Sequence, residues 1–301
     1  MKLFDSSSGD AIADKRADYA EMLFQSGDAT AAADLMLQAL ERAPAWTYGW
    51  FRLGEMQAEA GDTAGAAEAW RMAQKLDPED RLGAALKLDI AGQGAVLATM
   101  PPAFVETLFD QYAGKFENSL VGKLDYRAPD LLLDAILAVS KGPFACAIDL
   151  GCGTGLMGER LRPLCAWLEG YDLSEGMLRE ARAKNIYDRL EQADIAQLRP
   201  DGTPADLVVA ADVYMYLGAL EAAFASAGGL LGAGGLFAFS VEALDATAGF
   251  RLRDTRRFAH SEAYVREVLE SSGLHLVSLF RATIRQDRNA PVEGLIVVAA
   301  K

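Results

Sequence analysis

Histidine is nearly absent from this chain: two occur in 301 residues, beside three cysteines. No Cys/His grouping has the spacing of zinc ligands, so no metal site is expected. Cys146, Cys152 and Cys165 are too few, and odd in number, to frame a disulfide scaffold; they read as reduced thiols. No apolar run approaches the roughly 20 residues that a membrane span requires. The opening stretch, MKLFDSSSGDAIADKRAD, is polar and acidic. It reads as lacking a signal peptide, and a cytoplasmic location is the expectation. Cations are also scarce, with 29 Lys and Arg against 43 Asp and Glu and a net charge of -14. That balance speaks against nucleic acid as a main partner and against an anionic membrane surface. It serves solubility. The composition is otherwise that of a globular protein, 51% hydrophobic and 24% charged, with room for one large domain or two modest ones.

The first third repeats itself. FQSGDATAAADLMLQALERAPAW is followed by AEAGDTAGAAEAWRMAQKLDPED, and Gly27 and Gly61, Asp28 and Asp62, Ala32 and Ala66, Ala39 and Ala73, and Pro44 and Pro78 all stand 34 residues apart. Glycine permits the turn between two helices, alanine lets their backbones approach, and proline closes the second helix. The pattern resembles the tetratricopeptide repeat. The second copy carries Trp50, Leu53, Gly54, Gly61, Ala66, Trp70, Ala73 and Pro78 of that family's pattern; the first has Arg16 where Trp is usual. DRLGAALKLDIAGQG reads as a single capping helix. An all-α repeat unit over residues 10–92 is expected, then a linker over 93–103. Two uses stay open for it: a groove for a protein partner, or a platform for docking or self-association.

From about Phe104 the pattern changes. Helical spacing runs to about Ser140; then FACAIDLG, CAWLEGYDL, RLEQADI, ADLVVAADV, GGLFAFSVE, GLHLVSLFRATIR and GLIVVAAK read as strands separated by helices. Such alternation predicts an α/β domain over 104–301, built on a mostly parallel sheet covered on both faces. Its ligand site should lie at the carboxyl ends of the strands.

AIDLGCGTGLMGERL then reads as strand, glycine turn and helix. Gly151, Gly153 and Gly155 permit positive φ and close approach of a ligand to the backbone. The dinucleotide fingerprint needs a third glycine at position 156, where Leu156 stands. G-x-G-x-G instead resembles the class I S-adenosylmethionine-dependent methyltransferases. Asp172 ends the second strand, 21 residues beyond Gly151, and Asp194 ends the third. Singly, each acid could equally cap the next helix; their order after the glycine turn strengthens the likeness. LFDQYAGKFENSLVGKLDYRAPDLL, DLSEGMLREARAKNIYDRL and RRFAHSEAYVREVLESSGL resemble a bacterial group of predicted methyltransferases with N-terminal tetratricopeptide repeats, over nearly the whole chain.

The resemblance implies a seven-stranded Rossmann-like sheet whose last strand, GLIVVAAK, is antiparallel. It implies S-adenosyl-L-methionine as cofactor, held by Asp149, Gly151, Cys152, Gly153, Gly155, Asp172, Leu173, Asp194, Ile195 and Ala211. Asp172 would accept both ribose hydroxyls and Asp194 the adenine amino group, with Ile195 against the ring. Tyr112 and Tyr126 lie in the segment that resembles the family's lid, although each could be a packing aromatic. Candidate catalytic groups are His260, Tyr214 and Tyr112. Histidine suits proton transfer near neutral pH, but His260 beside a helix start could equally be a capping or surface residue, and His275 reads as structural. Tyr216, Arg256 and Arg257 are the candidate substrate contacts. Between Gly249 and Arg288 eight arginines face five acids; arginine forks hold carboxylates, while a solvated face would show the same run. The expected reaction is in-line methyl transfer to a small, acidic molecule. A protein methyltransferase that recruits through its repeats and a non-catalytic scaffold are the other readings.

Overall fold

The computed structural model describes residues 7–115, 124–200, 202–287 and 290–301. The chain divides into two compact units, Met1–Phe104 and Val105–Lys301.

The first unit is helical: α1 (Ala11–Gln25), α2 (Ala29–Leu40), α3 (Thr47–Glu59), α4 (Thr63–Leu76) and α5 (Ala84–Ile90). Each helix packs on the next in sequence. The α1–α2 and α3–α4 turns are built alike. Gly27 and Gly61 take φ of 91° and 84°, and the aspartate after each caps the next helix. Asp28 accepts the Ala31 N–H at 3.0 Å, and Asp62 accepts the Gly65 N–H at 2.9 Å. Gly54 leaves room for an indole: a Cβ there would collide with the Trp70 ring. Ala32, Ala39, Ala66 and Ala73 are buried.

Among the described residues the second unit is a nine-stranded mixed sheet flanked by helices. The helices are α6 (Pro102–Tyr112), which begins inside the stretch read as a linker, α7 (Ala128–Val139), α8 (Leu156–Leu161), α9 (Glu175–Lys184), α10 (Glu221–Leu230) and α11 (Glu262–Ser271). The strands are β1 (Phe144–Leu150), β2 (Cys165–Asp172), β3 (Arg189–Gln192), β4 (Ala205–Ala210), β5 (Leu231–Ala243), β6 (Phe250–Leu252), β7 (Phe258–His260), β8 (His275–Asp287) and β9 (Ala290–Ala300). β3, β2, β1, β4 and β5 run parallel in that spatial order; β9 lies antiparallel on β5, and β8 antiparallel on β9. The seven-strand expectation is corrected to nine. The two additions, β6 and β7, are a three-residue antiparallel pair, and β7 extends the carboxyl end of β5 through Glu242 and Ala243. Three residues are too few to carry a readable alternation.

Apolar residues cover both faces of the sheet. Leu132 and Ile136 of α7 and Met157 and Leu161 of α8 pack against Ala147, Leu207, Val209, Ala238 and Val298. Phe224 and Ala227 of α10 and Val265 and Leu269 of α11 pack against Ile148, Val208, Phe237 and Val297. The strand order reverses beside β1, between β2 and β4, so the carboxyl ends of these strands open into the crevice where α/β sheets hold ligands.

Candidate active site

The loop after β1 is shaped before any ligand arrives. Gly151, Gly153 and Gly155 have φ of 64°, 54° and 93°, where a side chain is strained. Gly151 also abuts the end of β4: a Cβ there would lie 2.6 Å from Val213 Cγ2. The Cys152 N–H donates to the Tyr171 carbonyl at 3.0 Å, and the Gly153 N–H donates to Asp172 Oδ2 at 2.8 Å. Asp172 Oδ1 accepts the Ser174 N–H at 2.8 Å. One carboxylate thus holds the glycine loop and the turn after β2. Burial pushes Asp172 up to about 6, against the two N–H bonds that favour its charge.

Asp149 sits beneath the loop. Its Oδ2 accepts the Tyr187 hydroxyl at 2.7 Å, while its buried Oδ1 has no partner among the described residues. Burial raises it to about 7. Tyr187 in turn fills the space beside Gly155 and Gly158: a Cβ at Gly155 would lie 3.1 Å from its ring, and one at Gly158 would collide with its hydroxyl. Cys152 points at Gly170, whose added Cβ would lie 3.0 Å from Sγ; burial lifts its thiol far above the usual range, so it is inert packing.

α6 lies over the turns after β2 and β3. Asp110 Oδ1 accepts the Ser174 hydroxyl at 2.6 Å and the Gly176 N–H at 2.9 Å. Gln192 donates to Glu106 at 3.3 Å and to the Leu173 carbonyl at 2.8 Å. Tyr112, at the end of α6, is 52% exposed. Asp194 holds its own loop, accepting the Ala196 N–H at 3.0 Å and Gln197 Nε2 at 2.6 Å, and it borders a cleft of about 410 Å³ with Tyr171, Arg189 and Gln197. Ile195 is buried in the core cluster that also holds Tyr171 and Leu220.

At the carboxyl ends of β4 and β5 the structure brings Tyr126, Ala211, Tyr216 and Arg257, expected from the sequence, near Arg285, Asp212 and Glu242, to which the sequence assigned no role in the site. Arg285, on β8 and 2% exposed, donates from Nη1 to Asp212 at 2.6 and 2.5 Å and from Nη2 to Glu242. Burial works against its charge, and Asp212 and Glu242 more than offset that. Tyr126 donates to the Ala211 carbonyl at 3.4 Å; burial raises its hydroxyl well above the usual range, with Asp212 adding to the effect. Tyr216 stacks edge-on with Phe109 at 5.2 Å. Burial brings its hydroxyl up to about 12, although Arg257 lies beside it. Arg257 pairs with Asp287 at 2.8 Å. Arg256 is exposed on the β6–β7 turn, and Arg288 lies outside the described residues.

Two catalytic candidates are corrected. Tyr214 is fully buried and ringed by Phe224, Phe237 and Phe239 at 5.5, 6.2 and 5.7 Å. It is a core aromatic, because the 3-10 turn over Tyr214–Tyr216 directs it inward and leaves Tyr216 at the mouth. His260 is fully buried too. Its Nε2 faces the Leu217 and Gly218 carbonyls at 2.9 and 3.0 Å, so it must donate there. Burial lowers it to about 4, and it ties the 217–218 turn to β7 as a neutral ring. His275 opens β8 on the surface. Among the described residues no group of three or more His, Cys, Asp or Glu is placed to hold a metal, and no helix is long and apolar enough to cross a membrane.

Residues 147–235 match the family model described as "Methyltransferase domain". The chain is 38% identical over 110 residues to human methyltransferase-like protein 27, covering 34% of this chain and 44% of that protein. It is 42% identical over 92 residues to trans-aconitate 2-methyltransferase of Methylobacterium nodulans, covering 30% of this chain and 34% of that one. The chain therefore spans less than half the length of either relative. The chain also shares its fold with 1,6-didemethyltoxoflavin-N1-methyltransferase of Burkholderia thailandensis, solved with 1,6-didemethyltoxoflavin and S-adenosylhomocysteine. The TM-score is 0.54 and the identity 18%, over 66% of this chain and 88% of that one.

Proposed function

We propose that this chain transfers the methyl group of S-adenosylmethionine to a small, carboxylate-bearing molecule. The observation that carries the reading is the positive-φ glycine loop fixed by Asp172 through the Gly153 N–H. The residues fit the cofactor in one further respect: a buried carboxylate oxygen of Asp149 beneath the loop lacks a partner among the described residues. When bound, the cofactor supplies a methyl group that is already strongly electrophilic.

The work left to the chain is alignment and exclusion of water. Gly151, Gly153 and Gly155 give backbone access, Asp172 takes the ribose hydroxyls, and Asp194 the adenine edge. Tyr126, Tyr216 and the Ala211 carbonyl bound the reacting end, and α6, with Tyr112, closes over it. A carboxylate acceptor needs no general base, which agrees with the withdrawal of His260 into the core. Arg257, half-buried beside Tyr216, is the group proposed to hold the substrate, with Arg256 at the rim. The printed name of the Methylobacterium relative, an enzyme of trans-aconitate, favours the same substrate class. Metabolite extracts incubated with the protein and methyl-labelled cofactor should yield a labelled, base-labile product. Arg257→Ala should then raise KM about tenfold or more, since one charge-assisted bond to a carboxylate is worth about 1.5–3 kcal/mol; an unchanged KM would remove Arg257 from substrate binding.

The helical unit is read as two tetratricopeptide repeats and a cap, serving a protein partner or self-association. The matched Gly-Asp turns and the Gly54–Trp70 packing support that reading. The cytoplasm is the proposed location.

A further inference from the structure

Arg285 lies far along the chain from the glycine loop and belongs to no methyltransferase motif read from the sequence, yet it joins the turn after β4 to β5, and its strand anchors the segment bearing Tyr126. Its position depends on an irregularity in β8. The β8–β9 register shifts between Thr283 and Arg285, leaving Ile284 without a partner in the ladder. Strand residues normally alternate between faces, and a bulge breaks that rule; Ile284 and Arg285 are consequently both buried. The bulge is also where the segment bearing Tyr126 attaches. Arg127 donates its N–H to the Ile284 carbonyl at 2.9 Å, and Gln286 donates to the Leu124 carbonyl at 2.6 Å.

From there the guanidinium reaches Asp212, just past β4, and Glu242 on β5. Asp212 has a φ of 58°, a conformation uncommon for residues other than glycine. It persists because both carboxylate oxygens are held by Arg285 and its N–H donates to Ser240 Oγ at 2.9 Å. The residue before it, Ala211, offers its carbonyl to Tyr126, and the residue after it, Val213, abuts Gly151.

We propose that Arg285 is a positioning residue that holds the Ala211–Asp212–Val213 turn in the shape that receives the aminoacyl end of the cofactor. The proposal rests on the methyltransferase reading above. It separates the aminoacyl end from the adenosine end, which Asp172 and Asp194 serve. Lysine at position 285 keeps the charge but loses the forked geometry, and asparagine at position 212 keeps tolerance of positive φ without the charge.

The test compares two probes by calorimetry on the full chain: S-adenosylhomocysteine, which carries the aminoacyl tail, and 5′-methylthioadenosine, which lacks it. Arg285→Lys is expected to weaken S-adenosylhomocysteine about tenfold or more, about 1.4 kcal/mol, and to leave 5′-methylthioadenosine within about twofold. Asp212→Asn, which removes one buried charge, should show the same selective loss and serves if Arg285→Lys does not fold. Equal weakening of both probes in a folded variant would mean a merely structural role, and no change in either would mean none; each overturns the proposal. Failure of the unmodified protein to bind either probe would overturn the methyltransferase reading, and the proposal with it.

Discussion

Asp149 shows what a single buried acid does to this protein. Its ordinary value is 3.8, and burial raises it to about 7. Between those values the folded chain keeps a proton that the unfolded chain has released, so its contribution to stability falls as pH rises and levels off above about 7. An asparagine in its place would keep an acceptor for the Tyr187 hydroxyl without the charge. Thermal melts should therefore show Asp149→Asn above the unmodified protein at about pH 8, with the gap closing toward about pH 4; a pH-independent gap would contradict the assignment. At this scale the sequence was only partly readable. Asp172 and Asp194 stand out by position after the glycine turn, but the backbone and side-chain groups they hold could not be read. Tyr187 gave no signal, because nothing in its spacing says that Gly155 and Gly158 leave room for its ring. Tyr214 and Tyr216 look alike in YMY, and only the 3-10 turn decides which faces the core. Glu242 did leave a trace, an acid inside the buried run FAFSVEAL, and such a residue needs a partner.

The glycine loop is the element on which the site turns. Its strand–turn–helix form was legible because glycine spacing encodes backbone conformation directly. Its neighbours were not, since contact between Gly151 and Val213 depends on β1 and β4 lying side by side. Gly151→Ala meets two obstacles: a φ of 64° and a methyl group 2.6 Å from Val213 Cγ2. The strain alone costs about 1–2 kcal/mol. The variant is expected to bind S-adenosylhomocysteine about tenfold or more weakly by calorimetry; wild-type affinity would show that the loop does not cradle the ligand. The β6–β7 pair was missed for the opposite reason. Two strands of three residues are set by tertiary pairing with β5, and local sequence barely prefers them.

The whole molecule follows from two periodicities read in one chain. A 34-residue repeat gives the helical unit, and strand–helix alternation gives the sheet unit whose order reverses beside β1. The order of strands was implied by resemblance alone, since alternation fixes layers and leaves order open. The net charge of -14 conceals the balanced cluster of Arg253, Arg257, Arg285, Asp212, Glu242 and Asp287 at the mouth, which comes from four separate segments. Titration of the full chain with S-adenosylmethionine tests the central claim most directly. The account predicts saturable one-to-one binding that Asp172→Ala weakens about tenfold or more. Absence of binding, or binding indifferent to Asp172, would contradict it.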